Sequence, residues 1–422
     1  MTKSGILIIT PRKIVYFILL WTIISDTLMA EFGFSGSIQY LNDIAWLILL
    51  YFIISRNFIG KFRKYGLRSL ACIIVLFVFL CYFSSFINFV NPLLVLWATR
   101  NSMRFLIFFI AAVIYLDEFD ITKIFDILYI VQIISFFIAL YQYFALGLHM
   151  DNLGGIFGHG NGAALNTFQA MILAYYLCGF LQKKQPIYKV GIILVTSLII
   201  VALAEEKAFF VYLIVVVVGC ILLNRPSFKT VIIILAVAIM VPVGINILAS
   251  VNSAWNLEVL TNFESAMDYM ENSYGLSRSN PFPEIQELFF DDSIIKNLFG
   301  IGFGASENCD ATPLFTSDFF NRYSYLQYYD FTHQKKFLET GILGFGSYLL
   351  LFIGIILMCI KNITKYKNDD YRVKAMLIFT VVAILSCWFS GALIYNDAYI
   401  IYFGLAAGVI LCKHRNFEES IK

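Results

Sequence analysis

Apolar residues fall along this chain in long, unbroken blocks, not at the alternating or one-faced spacing of soluble elements. Twelve blocks can be marked, at about 14–31, 40–55, 69–88, 101–117, 122–146, 163–181, 187–204, 207–223, 229–250, 337–360, 372–390 and 394–412. A bilayer core takes about 20 apolar residues per helix. Spanning strands would alternate polar and apolar residues, and runs such as "VIIILAVAIMVPVGINILA" do not. The pattern therefore predicts an all-α polytopic membrane protein with about 12 transmembrane helices. The second and fourth blocks are the shortest, and only "EEK" at 205–207 divides the seventh from the eighth. One long polar interruption, 251–336, separates the ninth block from the tenth. The chain thus divides into 1–250 with helices 1–9, a loop over 251–336, and 337–422 with helices 10–12 and a tail. No internal repeat or low-complexity tract is visible.

Composition supports this reading. Hydrophobic residues make up 60% of the 422 and charged residues 14%, where a soluble domain carries about a quarter. Mean hydropathy is +0.80. The net charge of +2 suggests no nucleic-acid partner. Seven of the eight cysteines lie in or beside apolar blocks and only Cys309 lies in the long loop, so no disulfide framework is expected. The start, "MTKSGILIITPRKIVYFILLW", resembles a signal peptide but lacks a small-residue cleavage pattern, and it reads as a retained first helix.

Basic residues orient the helices. With the N-terminus cytoplasmic, 22 of the 30 Lys and Arg fall in the loops of one side and eight on the other. Both termini are therefore expected in the cytoplasm and the long loop outside. That loop carries twelve acidic and five basic residues. Its stretch "PEIQELFFDDSIIKNLF" has helical apolar spacing and predicts an interfacial helix broken or re-capped at Asp291, Asp292 and Ser293. Its later stretch "FFNRYSYLQYYDF" carries Tyr325, Tyr328 and Tyr329, either as an interfacial belt or as a stacking surface for sugar rings.

Ionisable residues gather on that same side, where burial of charge is costly. Arg100 and Arg104 stand one turn apart at the predicted start of the fourth helix, placed either to snorkel to headgroups or to bind an anion. Glu205, Glu206 and Lys207 form a hairpin. His149 and His159 precede the sixth helix, Arg278 and His333 lie in the long loop, and Glu339 begins the tenth helix. Clustered cations beside a membrane suit a phosphate-bearing lipid, because arginine forks onto phosphate oxygens and a cation stabilises a leaving diphosphate. A histidine near neutral pKa can take a proton from an acceptor hydroxyl. No HExxH, EF-hand spacing or P-loop occurs, so neither a metal nor another cofactor is expected.

Three segments resemble the O-antigen ligase and O-antigen polymerase (Wzy-type) superfamily. They are "GGIFGHGNGAALNTF" at 154–168, "LIIVALAEEKAFFVYLIVVVV" around the hairpin, and "SRSNPFPEIQELFFDDSIIKNLFGIGFG" followed by "THQKKFLETGILGFG". The resemblance covers roughly 150–355. It implies a GT-C-like, metal-independent glycosyltransferase. The implied donor is an undecaprenyl-diphosphate-linked glycan held among membrane lipid, and a chain-length regulator is a further implied partner. By the same resemblance the protein would lie in the bacterial inner membrane, Arg278 would contact the diphosphate, and His333 would be the base. The external clustering of charge adds Lys207, Arg100 and Arg104 to the diphosphate set and Glu339 to the catalytic set, and the stacking reading of the loop gives Tyr325, Tyr328 and Tyr329 to the glycan. Two positions depart from the family pattern. Lys207 stands where an arginine is usual, which keeps charge but loses the fork. His333 lies six residues before Glu339 instead of nine, and Asp330 occupies the ninth. The shift is about 5 Å along a helix and leaves His333 or Asp330 as the base, the two sharing one helical face. A polymerase is favoured; a ligase acting on lipid A core and a lipid-linked glycan transporter or flippase are the alternatives.

Overall fold

Residues 10–55, 57–224, 275–309 and 312–419 are described by the structure, a computed structural model. Among them the chain is helical, with no strand. The long elements are α1 (Pro11–Phe32), α2 (Tyr40–Ser55), the short α3 (Phe58–Lys64), α4 (Arg68–Ile87), α5 (Pro92–Tyr115), α6 (Glu118–Phe144), α7 (Gly162–Leu181), α8 (Ile187–Ala204) and α9 (Ala208–Leu223). After the gap come three short helices, α10 (Pro281–Ile285), α11 (Ile294–Phe299) and α12 (Asp318–Tyr323), then α13 (Thr332–Thr364), α14 (Tyr371–Phe389) and α15 (Ala398–Glu419). Nine helices among the described residues are long and apolar enough to cross a membrane, and α9 and α15 carry shorter apolar stretches. The protein is a multi-pass α-helical membrane protein. The predicted ninth span, 229–250, and the first part of the long loop lie outside the described residues.

The helices are apolar outward and mixed inward, the reverse of a soluble bundle. On α6 the exposed stripe is Ile130, Ile134, Phe137 and Tyr141, at helical spacing, while Gln132, Ser135 and Gln142 are fully buried. Lipid gives polar groups no partner, so they turn inward and pair between helices. Gln132 donates to Thr196 Oγ1 at 3.1 Å and to Ser197 Oγ at 3.3 Å on α8. Helix α7 is the centre, with 94% of its apolar window buried, and its Tyr175 ring stacks 3.9 Å from Phe125. Helix ends are marked by the sequence. Thr10 caps α1, Gly33 ends it at φ 66°, and Asp117 with Asp120 forms a capping box on α6.

Two boundaries differ from the sequence expectation. Helix α5 begins at Pro92, capped by Asn91, not near residue 101, and it runs through a π-helical turn at Thr99–Met103. The polar string Thr99, Arg100, Asn101 and Ser102 had read as the edge of the span, but it lies within the helix and its partners are supplied inside the bundle. Helix α13 begins at Thr332, before the expected 337, and is interrupted at Gly341, where φ is 62° and ψ −165°. In the described part of the long loop, the expected break is observed. Helix α10 and the π turn Gln286–Phe290 end at Asp291 and Asp292 (φ 48° and 55°), and Ser293 caps α11 by accepting from Lys296 N.

The segment 300–304 docks against the α13 break. Ile301 N donates to Leu338 O at 2.9 Å and Gly302 N to Glu339 O at 3.1 Å. A Cβ on Gly341 would lie 2.5 Å from Leu298 C and 2.6 Å from Gly300 N. Gly341→Ala should therefore lose well over the roughly 1–3 kcal/mol typical of a backbone region reserved for glycine. Gly346→Ala, in the same helix with nothing within 4 Å of the added Cβ, should be neutral or stabilising by about 0.5–1 kcal/mol. Thermal melting of the two purified variants beside the parent checks both; equal melting temperatures would contradict the docking.

Candidate functional site

A cavity of about 780 Å³ opens at the end of the bundle where α1 finishes and α7, α13 and α15 begin. One wall comes from α5, with Trp97, Arg100, Asn101 and Arg104. Others come from Asp26 and Ala30 on α1, from the glycine-rich approach to α7 with His159 and Asn161, and from 306–309 with Ser306 and Glu307. Lys335 enters from α13, Tyr329 from the turn before it, and Tyr395, Asn396 and Asp397 from the turn before α15.

The π turn sets the α5 wall. It carries one residue more than an α turn, a feature that recurs at functional sites, and it sits in the middle of an apolar helix. Arg100 Nε and Nη2 both donate to Asp43 Oδ2, at 3.0 and 2.8 Å, and its guanidinium lies 4.5 Å from the Trp97 ring centre. Arg104 is 4% exposed. Its Nη2 donates to Asn396 Oδ1 at 2.6 Å and its Nη1 lies 3.6 Å from Asp43 Oδ1. Arg104 Nε has no hydrogen-bond partner among the described residues. Headgroup snorkelling is therefore overturned for this pair: both side chains point inward and share one aspartate.

A second charged group faces it. Glu307, 1% exposed, accepts from Asn101 Nδ2 at 2.7 Å and from Lys335 Nζ at 2.8 Å. The same peptide positions Glu339: Ser306 Oγ donates to Glu339 Oε1 at 2.7 Å, and Ser84 Oγ to the Glu339 carbonyl at 2.9 Å. Glu339 is thus fully buried one layer behind the cavity. His159 Nε2 lies 3.0 Å from Glu31 Oε1 at the cavity rim.

The sequence-predicted trio Arg278, Asp330 and His333 does come together, but outside the cavity lining. The Arg278 guanidinium lies 5.2 Å from the Phe331 ring centre. Burial pushes the Asp330 carboxyl up from its ordinary value, and Arg278 opposes that rise. His333 is fully buried, its Nδ1 2.8 Å from Cys387 O and its ring stacked 5.3 Å from Trp388. Asp330 lies in the turn before α13, so the expectation that it shares a helical face with His333 is corrected. Tyr395, whose hydroxyl donates to Tyr329 O at 3.1 Å, stands between this trio and the cavity; burial pushes its pKa up to about 12.

Of the three tyrosines expected to hold glycan, Tyr329 lines the cavity. Tyr328 is fully buried and donates to Ser306 O at 3.2 Å, which makes it a strut with no face free for a sugar, and Tyr325 is 69% exposed away from the cavity. Lys207 precedes α9 in the hairpin and does not line the cavity, and Glu205 there holds a left-handed φ of 57°. Sequence reasoning missed Asp26, Asp43, Glu307, Lys335 and Asp397. Asp26 and Asp43 carried a usable signal, since each is an acid within or beside an apolar block.

No protein-family model matches the chain. No curated protein matches it. The likeness to the O-antigen superfamily rests on the three sequence segments alone.

The Asp43 bridge is testable without any substrate. Removing one partner of a buried ion pair costs about 3–5 kcal/mol, mostly because the other charge is left alone. Asp43→Asn should lower the melting temperature strongly. Combining it with Arg104→Met should cost much less than the sum of the two single changes; additive losses would show that the two side chains do not act together.

Proposed function

We propose that the protein is a glycosyltransferase that polymerises lipid-linked repeat units of a bacterial surface polysaccharide, an O-antigen or an exopolysaccharide. The donor is an undecaprenyl-diphosphate-linked glycan and the acceptor a hydroxyl of another lipid-linked unit. One observation supports this reading above others: the cavity wall sets Arg100, Arg104 and Lys335 opposite a carboxylate, Glu307, with Trp97 and Tyr329 beside them. Cations suit the diphosphate, the carboxylate suits the acceptor hydroxyl, and aromatic faces suit sugar rings.

In the proposed step the bond from the donor sugar C1 to the diphosphate oxygen breaks, and its electron pair leaves with the lipid diphosphate. A bond forms between C1 and the acceptor oxygen, whose proton passes to Glu307. Lys335 Nζ donates to Glu307 Oε1 at 2.8 Å. When diphosphate binds, Lys335 turns to the phosphate oxygens and frees the carboxylate as a base. Arg278, Asp330 and His333 are assigned to holding the turn that carries Tyr329, because His333 is enclosed by Cys387, Trp388 and Phe282.

The test uses the cells that make the protein, with the chromosomal copy deleted and variants supplied at equal membrane level. Lipid-linked glycans are extracted and sized. Deletion should leave single repeat units. Glu307→Gln and Lys335→Ala should each lose polymer by well over tenfold, in line with about 1.5–3 kcal/mol for a charged contact, while His333→Ala should keep measurable polymer. Normal polymer from Glu307→Gln with none from His333→Ala would make His333 the base. Intact polymer that fails to reach lipid A core would indicate a ligase. The inward-facing arginines within a spanning helix also suit a flippase, and single units retained on the inner leaflet would indicate that.

The same proposal sets the cavity outside the cell, with both termini cytoplasmic, from the distribution of basic residues. A single cysteine at Asp292, which is exposed, introduced into a cysteine-free chain should react with an impermeant maleimide in intact spheroplasts. Labelling only after permeabilisation would reverse the orientation.

A further inference from the structure

Two carboxyl groups meet on the cavity wall, and the cation that acts on them, Arg104, is shared with Asp43. Asp26 on α1 and Asp397 before α15 lie within hydrogen-bonding reach of each other, and both line the cavity. They are 6% and 3% exposed. Gln39 Nε2 donates to Asp26 Oδ1 at 2.9 Å, and Ser25 Oγ lies 3.5 Å from the same oxygen. Asp397 Oδ1 has no hydrogen-bond partner among the described residues. Two carboxylates in so dry a place do not both stay ionised. The nearest cation, Arg104, is held by Asp43 and Asn396. Around the remaining wall Arg100 is paired with Asp43, Lys335 with Glu307, and His159 with Glu31. Arg100 and Arg104 share the one charge of Asp43, which leaves a single positive charge for the Asp26 and Asp397 pair, enough for one carboxylate and not two, so the pair is left to hold a proton. Burial, and then the Asp26 charge, push the Asp397 carboxyl well above its ordinary range.

A carboxyl beside a carboxylate holds one proton that can turn from the partner oxygen to a bound hydroxyl, which then meets a donor and an acceptor side by side. A sugar hydroxyl needs both, because its O–H donates while its oxygen accepts. We infer that Asp26 and Asp397 form a hydroxyl-binding subsite for a pyranose ring, placed so that the ring's anionic neighbour meets Arg104. The naming of a sugar rests on the glycosyl-transfer reading; the pairing of donor and acceptor does not.

The experiment uses the full chain in lipid nanodiscs, titrated with short-chain alkyl glucoside, galactoside and mannoside, with the alkyl diol of equal chain length as control. The melting temperature is the readout. At least one glycoside should raise it and the diol should not. Asp26→Asn and Asp397→Asn keep shape but cannot share the proton, and each should weaken the apparent glycoside affinity by about tenfold or more. The same melting curves report whether the variants fold. A carboxyl whose folded pKa is raised contributes stability that is present at low pH and lost as pH rises through that folded pKa. The parent should therefore lose melting temperature as pH rises above the ordinary carboxyl range, and each Asn variant should show a flatter dependence. The inference is overturned if no glycoside shifts the parent, if the variants respond as the parent does, or if that pH dependence is unchanged in both. It is equally overturned if magnesium or calcium chloride gives the only aspartate-dependent shift, which would make the pair a cation site. Glycoside binding in a protein that makes no polymer would keep the subsite and remove the transferase reading; polymer without glycoside binding would do the reverse.

Discussion

The site depends on one close backbone crossing. At Gly300 and Gly341 two chain segments pass so near that a Cβ on either would fall 2.5 Å from main-chain atoms of the other. Only glycine tolerates both the approach and the positive φ. The crossing fixes 300–304 on the broken start of α13, and from it both sides of the charged cavity follow. Ser306 and Glu307 leave one strand of the crossing, and Lys335 lies just before the other. Asn88 Nδ2, donating to Gly300 O at 3.1 Å, and Ser84 Oγ tie the crossing to the end of α4. The loop that carries Ser306 and Glu307 is thus anchored on a membrane helix, not draped over it.

Around that anchor the protein inverts the rule of a soluble core. The exposed faces are the most apolar, and the interior carries amides, hydroxyls and charges. Gln142 shows the economy of this arrangement. It accepts from Gly155 N at 2.8 Å, donates to Gly155 O at 3.0 Å, and also reaches Glu31 Oε1 at 2.7 Å. One buried side chain therefore satisfies an irregular stretch of backbone and sets the glycine-rich approach to α7 against α1. Irregular backbone at such a depth is tolerated only where protein or a cavity lines it, and here both do.

The helices were legible because their signal is local: a block of apolar residues about as long as a bilayer is thick. So was the break at Asp291 and Asp292, since two acids followed by a serine mark a stop and a new cap. The meeting of "GIGFG" with "ETGILG" was visible as two glycine-rich segments, though not as a crossing. The cavity was much less legible. Arg104 reads as a headgroup anchor until Asp43 and Asn396, brought from 61 positions before and 292 after, stand beside it. Compensation of charge is a property of the folded arrangement, and a string of residues carries no record of which acid meets which base. Asp26 and Asp43 were the exceptions that could have been read, each an acid inside an apolar block. His333 shows the opposite limit: its type and position suggested chemistry, and its full burial against Cys387 O and Trp388 could not be read from the string.

The π turn in α5 carries a meaning for how such a cavity arises. A turn of this kind holds one residue beyond the α-helical count, so the helix after Met103 is rotated by about 100° from where a regular helix would set it. Arg104 opens that rotated half, directly after the extra residue. In a regular helix each apolar block presents one continuous face to lipid and one to its neighbours, and polar residues in mid-block are simply a burden. A single inserted residue divides the helix into two registers that face different ways. The gain or loss of one codon at this place would therefore turn the wall of the cavity toward or away from its partners, while leaving the length and hydrophobicity of the spanning helix almost unchanged.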